Sequence, residues 1–223
     1  METSDPRATK SGKWFFQTYE KNFVSKVVPC FPKSIETYHL TLFTLFWSAL
    51  AITGGHLAKN NLNYLWLMSV AMAGQYFTDL FDGAVGRFRN TGLVKWGFYM
   101  DHLLDFCFLC SILIGYWFIT PYEYKYILFA VFSLSAAYFV HMILNFGATN
   151  QFEISTMGIG PTEIRLIFVV VNTTLALFDK ILFTKILILY FLINLVFLIY
   201  SIYKTQRKIW DIDMEAKRLA KKK

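Results

Sequence analysis

Apolar runs long enough to cross a bilayer dominate this chain and leave little sequence for a soluble architecture. A membrane-spanning helix needs about 20 apolar residues. Six such runs are legible, at 38–57, 62–81, 96–118, 122–146, 162–178 and 182–203. "NN" precedes the second, "TP" the fourth, "GIGP" the fifth and "FDK" the sixth, and residues of these types break helices. Composition agrees: 56% of the 223 residues are hydrophobic and only 17% are charged, against roughly 25% charged in soluble domains. The expected fold is all-α, a polytopic membrane protein with six transmembrane helices forming one domain at 38–203.

Two polar segments flank that domain. Residues 1–37 hold no apolar core followed by a small-residue cleavage site, so a removable signal is not expected. Within them, "KWFFQTYEKNFVSKVVPCF" alternates bulky aromatics with lysines and reads as an N-terminal interfacial amphipathic helix, broken near Pro29. Residues 204–223 form a charged tail, either a solvated helix or a disordered end. No internal repeat or low-complexity tract is visible.

Charge placement predicts the orientation. The first segment carries six Lys and Arg, the 82–95 loop region three (Arg87, Arg89, Lys95) and the tail eight. Six spans put these seventeen on one side and only four (Lys59, Lys125, Lys180, Lys185) on the other, with Arg165 inside the fifth run. The excess predicts that both termini and that loop face the cytosol. A net charge of +7 distributed in this way fits anionic lipid, and nucleic acid is not expected as a partner. Cys30, Cys107 and Cys110 lack a second Cys or His pair nearby and read as small packing residues.

Against this apolar background, "DLFDGAVGRFRNTGLVKWGFYMDHLLD" places Asp79, Asp82, Asp101 and Asp105 at the ends of the second and third runs. A carboxylate in hydrocarbon costs several kcal/mol, so intramembrane acids mark functional sites. Asp79 and Asp82 are spaced i, i+3, and Asp101 and Asp105 i, i+4, so each pair shares one helical face. A short hairpin would bring the faces together, with Gly97, one turn before Asp101, permitting close helix approach. Converging carboxylates raise one another's pKa unless a cation compensates. Mg²⁺ is the economical choice, because it takes carboxylate and phosphate oxygens together and two ions can clamp an in-line displacement at phosphorus. Arg87 would supply a bidentate phosphate contact, and Gly83 and Gly86 would let backbone approach a pyrophosphate. A solvated acidic loop does not account for Asp101 and Asp105, which lie inside an apolar run.

The pattern D-x2-D-G-x2-G-R-x9-G-x3-D-x3-D, formed by Asp79, Asp82, Gly83, Gly86, Arg87, Gly97, Asp101 and Asp105, resembles the signature of the CDP-alcohol phosphotransferases. That family builds phospholipids with six-helix membrane enzymes. One position departs, since Gly86 stands where alanine is usual. The resemblance implies that Asp79, Asp82 and Asp101 hold the metals, two Mg²⁺ (or Mn²⁺) ions per site, and that Asp105 shares in coordination or acts as general base. It implies that Gly83, Gly86 and Arg87 contact the CDP moiety, with Gly97 in the same substrate-binding set. An acceptor hydroxyl would attack the β-phosphorus of a CDP-linked donor and CMP would leave. A homodimer is implied too.

Two features bear on the substrate. His102, in "DHLLD", and Glu163, in "GPTEIR", resemble the choline/ethanolamine phosphotransferase branch, which transfers to diacylglycerol; both would then serve catalysis by activating or orienting the acceptor hydroxyl. Equally open are a helix histidine facing a carbonyl and a first-turn glutamate stabilising the helix after Pro161, with Arg165 pairing with Glu163 or binding phosphate. The Pro-Asn-x-x-Thr that often opens the first span is replaced by "ETYHLT", which puts a nucleotide contact from His39 or Thr41 in doubt. His141 reads as a packing residue. The alternative donor is CDP-diacylglycerol, with inositol phosphate, glycerol phosphate or serine as acceptor. A remoter alternative, a divalent-cation transporter, would place polar groups near the midplane in broken helices of both halves, and no matching segment occurs in the last two runs. A bacterial cell membrane and the endoplasmic reticulum fit the sequence equally.

Overall fold

A computed structural model of the chain describes residues 10–11, 15–91, 93–150, 152–153, 160–177 and 180–221. Among these, α1 (Gln17–Val27) is followed by a 3₁₀ turn at Val28–Cys30. Helices α2 (Thr37–Leu42) and α3 (Thr44–Leu57) meet at Phe43 and together make one bent rod. The long helices α4 (Leu65–Arg89), α5 (Val94–Ile119) and α6 (Lys125–Thr149) follow, then α7 (Pro161–Leu177) and α8 (Lys180–Ala220). A two-residue strand, β1 (Lys10–Ser11), pairs in parallel with β2 (Phe152–Glu153).

Each expected apolar run is helical over most of its described length. Among the described residues, four stretches are long and apolar enough to cross a membrane: Thr37–Leu57, Val94–Ile119, Tyr122–Thr149 and Phe183–Ala220. The other two fall short for separate reasons. Helix α4 has the length but carries Gln75, Asp79, Asp82, Arg87 and Arg89. Helix α7 has 17 residues, about 25 Å at 1.5 Å per residue, against a hydrocarbon core of about 30 Å. The charged tail continues α8 as helix rather than forming a separate element.

Local chemistry explains where the helices start and stop. Glu36 and His39 form a reciprocal capping box at the start of α2, the Glu36 amide donating to His39 Nδ1 at 3.0 Å and satisfying donors that a helix start leaves orphaned. Helix α4 ends at Asn90, which adopts the left-handed conformation (φ 54°) while the Asn90 and Thr91 amides donate to the Arg87 and Gly86 carbonyls. This is a Schellman stop, and asparagine tolerates its backbone better than most residues. It turns the chain directly from the first aspartate pair toward the second.

Packing centres on α3, whose small side chains Ser48, Ala51, Gly54, Gly55 and Ala58 recur every three or four residues and are buried. Without hydrocarbon-driven attraction between helices, such small faces allow the close backbone approach that dispersion needs. A Cβ added to Gly55 would collide with the Gly115 backbone of α5, and one on Gly54 would meet Met68 of α4 at 3.0 Å. Helix α3 therefore packs closely on both α4 and α5, while α4 and α5 touch each other little. This corrects the expected tight hairpin: a Cβ built on Gly97 meets nothing within 4 Å, so that glycine adjoins open space and not a neighbouring helix.

Deeper in the bundle, Tyr116 of α5 donates to Asn172 of α7 at 2.7 Å, and Asn172 donates to Ser69 of α4 at 3.1 Å. All three residues are buried, so polar side chains link three helices without leaving these groups unpaired. At the aspartate end of α4, Phe81 packs with Val28, Leu40 and Val85 and with the rings of Phe23 and Phe31. The Arg89 guanidinium donates to the carbonyls of Phe31, Pro32 and Ile35, fixing this turn against α4.

Gly55→Ala is expected to lower the melting temperature of the detergent-solubilised protein, since overpacking a filled contact costs about 1–3 kcal/mol. Gly147→Ala, where the new Cβ meets nothing within 4 Å, should be neutral or stabilising. Equal melting of the two variants would refute the α3–α5 contact.

Candidate metal centre

Asp79 comes from the second half of α4, and Asp101 and Asp105 from the first turns of α5. Asp79, Asp101 and Asp105 each place a carboxylate oxygen so that the three lie within 4.8 Å of one another. They are partly buried, which removes much of the water that would otherwise screen them. Arg165 arrives from α7: its Nη2 lies 2.9 Å from Asp79 Oδ2 and 3.8 Å from Asp105 Oδ1. With all three acids ionised, −3 from the carboxylates and +1 from Arg165 leave an excess of two negative charges. A divalent cation matches that excess, and an all-oxygen donor set suits Mg²⁺ or Mn²⁺.

Two further contacts orient this group. Gln75, fully buried one turn before Asp79, donates from Nε2 to Asp105 Oδ1 at 2.8 Å. The Arg165 guanidinium carbon lies 5.5 Å from the centroid of the Tyr76 ring, within cation–π range. Tyr76 in turn donates to Glu20 of α1 at 2.9 Å, and Thr162 of α7 donates to the same Glu20 oxygen at 2.6 Å.

Asp82 lies outside the group of three. It is buried, accepts from the Thr41 hydroxyl at 2.9 Å and from the Gly83 amide next to it in the chain. Gly86 faces the start of α2, where a Cβ would come within 2.7 Å of Thr37 Oγ1. That hydroxyl is buried with no hydrogen-bond partner among the described residues. Arg87 is exposed in the final turn of α4.

His102 is buried, with Nδ1 2.7 Å from the carbonyl of Phe98 in its own helix and 3.6 Å from Asp101 Oδ2. Glu163 accepts from the Gly160 amide at 2.8 Å and from the Phe15 amide at 3.1 Å, so it caps the start of α7. Positions 163 and 165 project from different sides of a helix, which is why Arg165 reaches the aspartates and Glu163 turns to the backbone. His141 meets Ser201 at 3.2 Å between α6 and α8, away from the carboxylates in the fold's element order.

Sequence reasoning did not reach Gln75, Tyr76, Glu20 or the Thr41–Asp82 bond, and it left the partner of Arg165 open. Gln75 and Arg165 carried a usable signal, because any strongly polar residue inside an apolar run needs a partner. Glu20 carried none, since it sits among Gln, Thr, Lys and Asn in the sequence, and Thr41, noted in the first run, gave no sign of its partner.

Asp101→Asn should weaken Mn²⁺ binding by about tenfold or more, a loss typical of damaged metal sites, measured by the free Mn²⁺ paramagnetic resonance signal. Unchanged affinity would mean that these oxygens do not hold the ion.

Comparison with curated proteins finds no match to the chain. The family model described as CDP-alcohol phosphatidyltransferase matches residues 30–202, a span that runs from the turn after α1 through the apolar part of α8 and contains all four aspartates. By that match the chain belongs to the CDP-alcohol phosphatidyltransferase family, membrane transferases of phospholipid synthesis.

Proposed function

We propose that this protein is a Mg²⁺-dependent CDP-alcohol phosphotransferase, moving a phosphoalcohol group from a CDP-linked donor to an acceptor hydroxyl with release of CMP. The convergence of Asp79, Asp101 and Asp105 beside Arg165 carries the reading. Asp79, Asp101 and Asp105 hold the divalent ions, and Asp82, set by Thr41, is the further ligand. When bound, these ions supply positive charge to the phosphoryl oxygens and to the departing CMP.

The chain's own residues do the rest. Asp105 takes the proton of the acceptor hydroxyl, whose oxygen forms the new bond to the β-phosphorus as the bond to CMP breaks and the electron pair leaves with CMP. Gln75 holds the Asp105 carboxylate beside Arg165. Arg165 and Arg87 stabilise charge on the phosphoryl oxygens, the kind of preorganised electrostatics that usually dominates such transfers. Gly83, Gly86 and Gly97 leave room for the donor, and the open space next to Gly97 supports that role.

On this reading the chain crosses six times, α4 and α7 completing the set, with both termini and the site facing the cytosol, where the nucleotide arrives from water and lipid enters sideways. Helix α1 lies on that surface, in keeping with the exposure of Tyr19 (72%) and Phe23 (49%) beside Lys21 and Lys26. The enzyme works as a homodimer.

For the donor, "DHLLD" and "GPTEIR" favour CDP-choline or CDP-ethanolamine with diacylglycerol, His102 and Glu163 orienting the acceptor. A second reading has its own support: His102 Nδ1 is directed to a backbone carbonyl and Glu163 holds two backbone amides. Those contacts favour CDP-diacylglycerol as donor, with Arg165 close to the acceptor's phosphate.

Purified protein with Mg²⁺ is expected to release CMP from one of CDP-choline, CDP-ethanolamine or CDP-diacylglycerol when offered diacylglycerol, inositol phosphate, glycerol phosphate or serine. Chelation by EDTA should abolish release and added Mg²⁺ restore it. Folded protein that turns over no donor would sink the reading. Asp105→Asn should cut turnover by about 10²–10⁴-fold, the usual range for a lost general base, while nucleotide binding partly survives. Unchanged turnover would remove Asp105 from that role.

A further inference from the structure

We infer that Glu20, on the helix before the first span, is a positioning residue for the transfer site and acts through Tyr76 on Arg165. The inference rests on the phosphotransferase reading above. Glu20 is 8% exposed although it sits on a short helix whose neighbours Tyr19 and Lys21 are open to the surroundings. A buried carboxylate is costly unless hydrogen-bonded. Glu20 has such bonds, since one oxygen accepts from both the Tyr76 hydroxyl and the Thr162 hydroxyl. These donors belong to α4 and α7, the helices that carry Asp79 and Arg165.

The geometry makes one chain of contacts. Glu20 anchors the hydroxyl end of the Tyr76 ring. The face of that ring carries the Arg165 guanidinium at 5.5 Å, and the same guanidinium pairs with Asp79 and Asp105. Thr162 lies one turn before Arg165 on α7, so the second bond pins the same stretch of helix. Releasing Glu20 frees both the ring and the start of α7. Arg165 then samples positions away from the carboxylates, with its own backbone still folded. Small displacements of this kind act on the chemical step more than on donor binding.

The test uses full-length protein in lipid nanodiscs and reads kcat and KM for CMP release from whichever CDP-linked donor the wild type accepts. Glu20→Ala and Tyr76→Phe are each expected to lower kcat about tenfold, as loss of a hydrogen bond to a charged group implies, with donor KM moving less than about twofold. The double variant should be no slower than the worse single one, because both remove the same link. Glu20→Gln, which keeps an acceptor oxygen for Tyr76 and Thr162, should restore most of the activity. Wild-type kcat in Glu20→Ala, additive losses in the double variant, or a loss in Glu20→Gln equal to that in Glu20→Ala would overturn the inference. So would activity that falls only in proportion to the folded fraction. A wild type that releases no CMP from any donor would instead overturn the phosphotransferase reading beneath it.

Discussion

The contact between Arg165 and Asp79 organises the polar end of this bundle, because charge in an apolar setting is tolerated only when paired. Asp79 comes from α4, Arg165 from α7, and Asp105 from α5 lies within reach of the same guanidinium. Two consecutive helices and one far along the chain are thereby drawn to one point. The pairing is deliberately incomplete in charge: one guanidinium facing three carboxylates keeps the group hungry for a cation while preventing the helices from being driven apart by like charges. An isolated hydrophobic bundle would have no reason to place its arginine there.

What gives these side chains room is a packing decision made elsewhere. The small face of α3 brings it against the backbone of α5 at Gly55 and Gly115 and against Met68 of α4. Helices α4 and α5 are consequently held mainly by a common neighbour, with the Gln75–Asp105 bond joining them directly. At their acidic ends, carboxylate oxygens of Asp79, Asp101 and Asp105 come within 4.8 Å of one another, and a Cβ on Gly97 would meet nothing within 4 Å.

Much of the site was legible because its signals violate the surrounding composition. Asp79, Asp101 and Asp105 are acids among Phe, Leu and Tyr at helical spacing, and helical geometry alone brings each pair to one face. Asp82 obeys the same spacing yet joins Thr41 and the Gly83 amide, because i, i+3 places a side chain near its partner's face without fixing its rotamer. His102 and Glu163 stood out in the sequence as well, and their nearest hydrogen bonds run to backbone groups. A polar residue inside or at the edge of a span has two ways to be satisfied, its own helix or a neighbour, and spacing does not distinguish them.

Hydrophobic run length and the distribution of Lys and Arg determine class, approximate helix bounds and an expected orientation, since these depend on local composition and on the cost of exposing backbone or charge to lipid. The acidic spacing likewise points to a candidate cation site. Which helices become neighbours is decided in three dimensions, where a few missing side chains on α3 govern how closely backbones approach. The same holds for Arg165 against Asp79, Gln75 against Asp105, and Glu20 against Tyr76 and Thr162. Each of these joins residues between 30 and 142 positions apart, a separation across which no periodicity in the chain carries information.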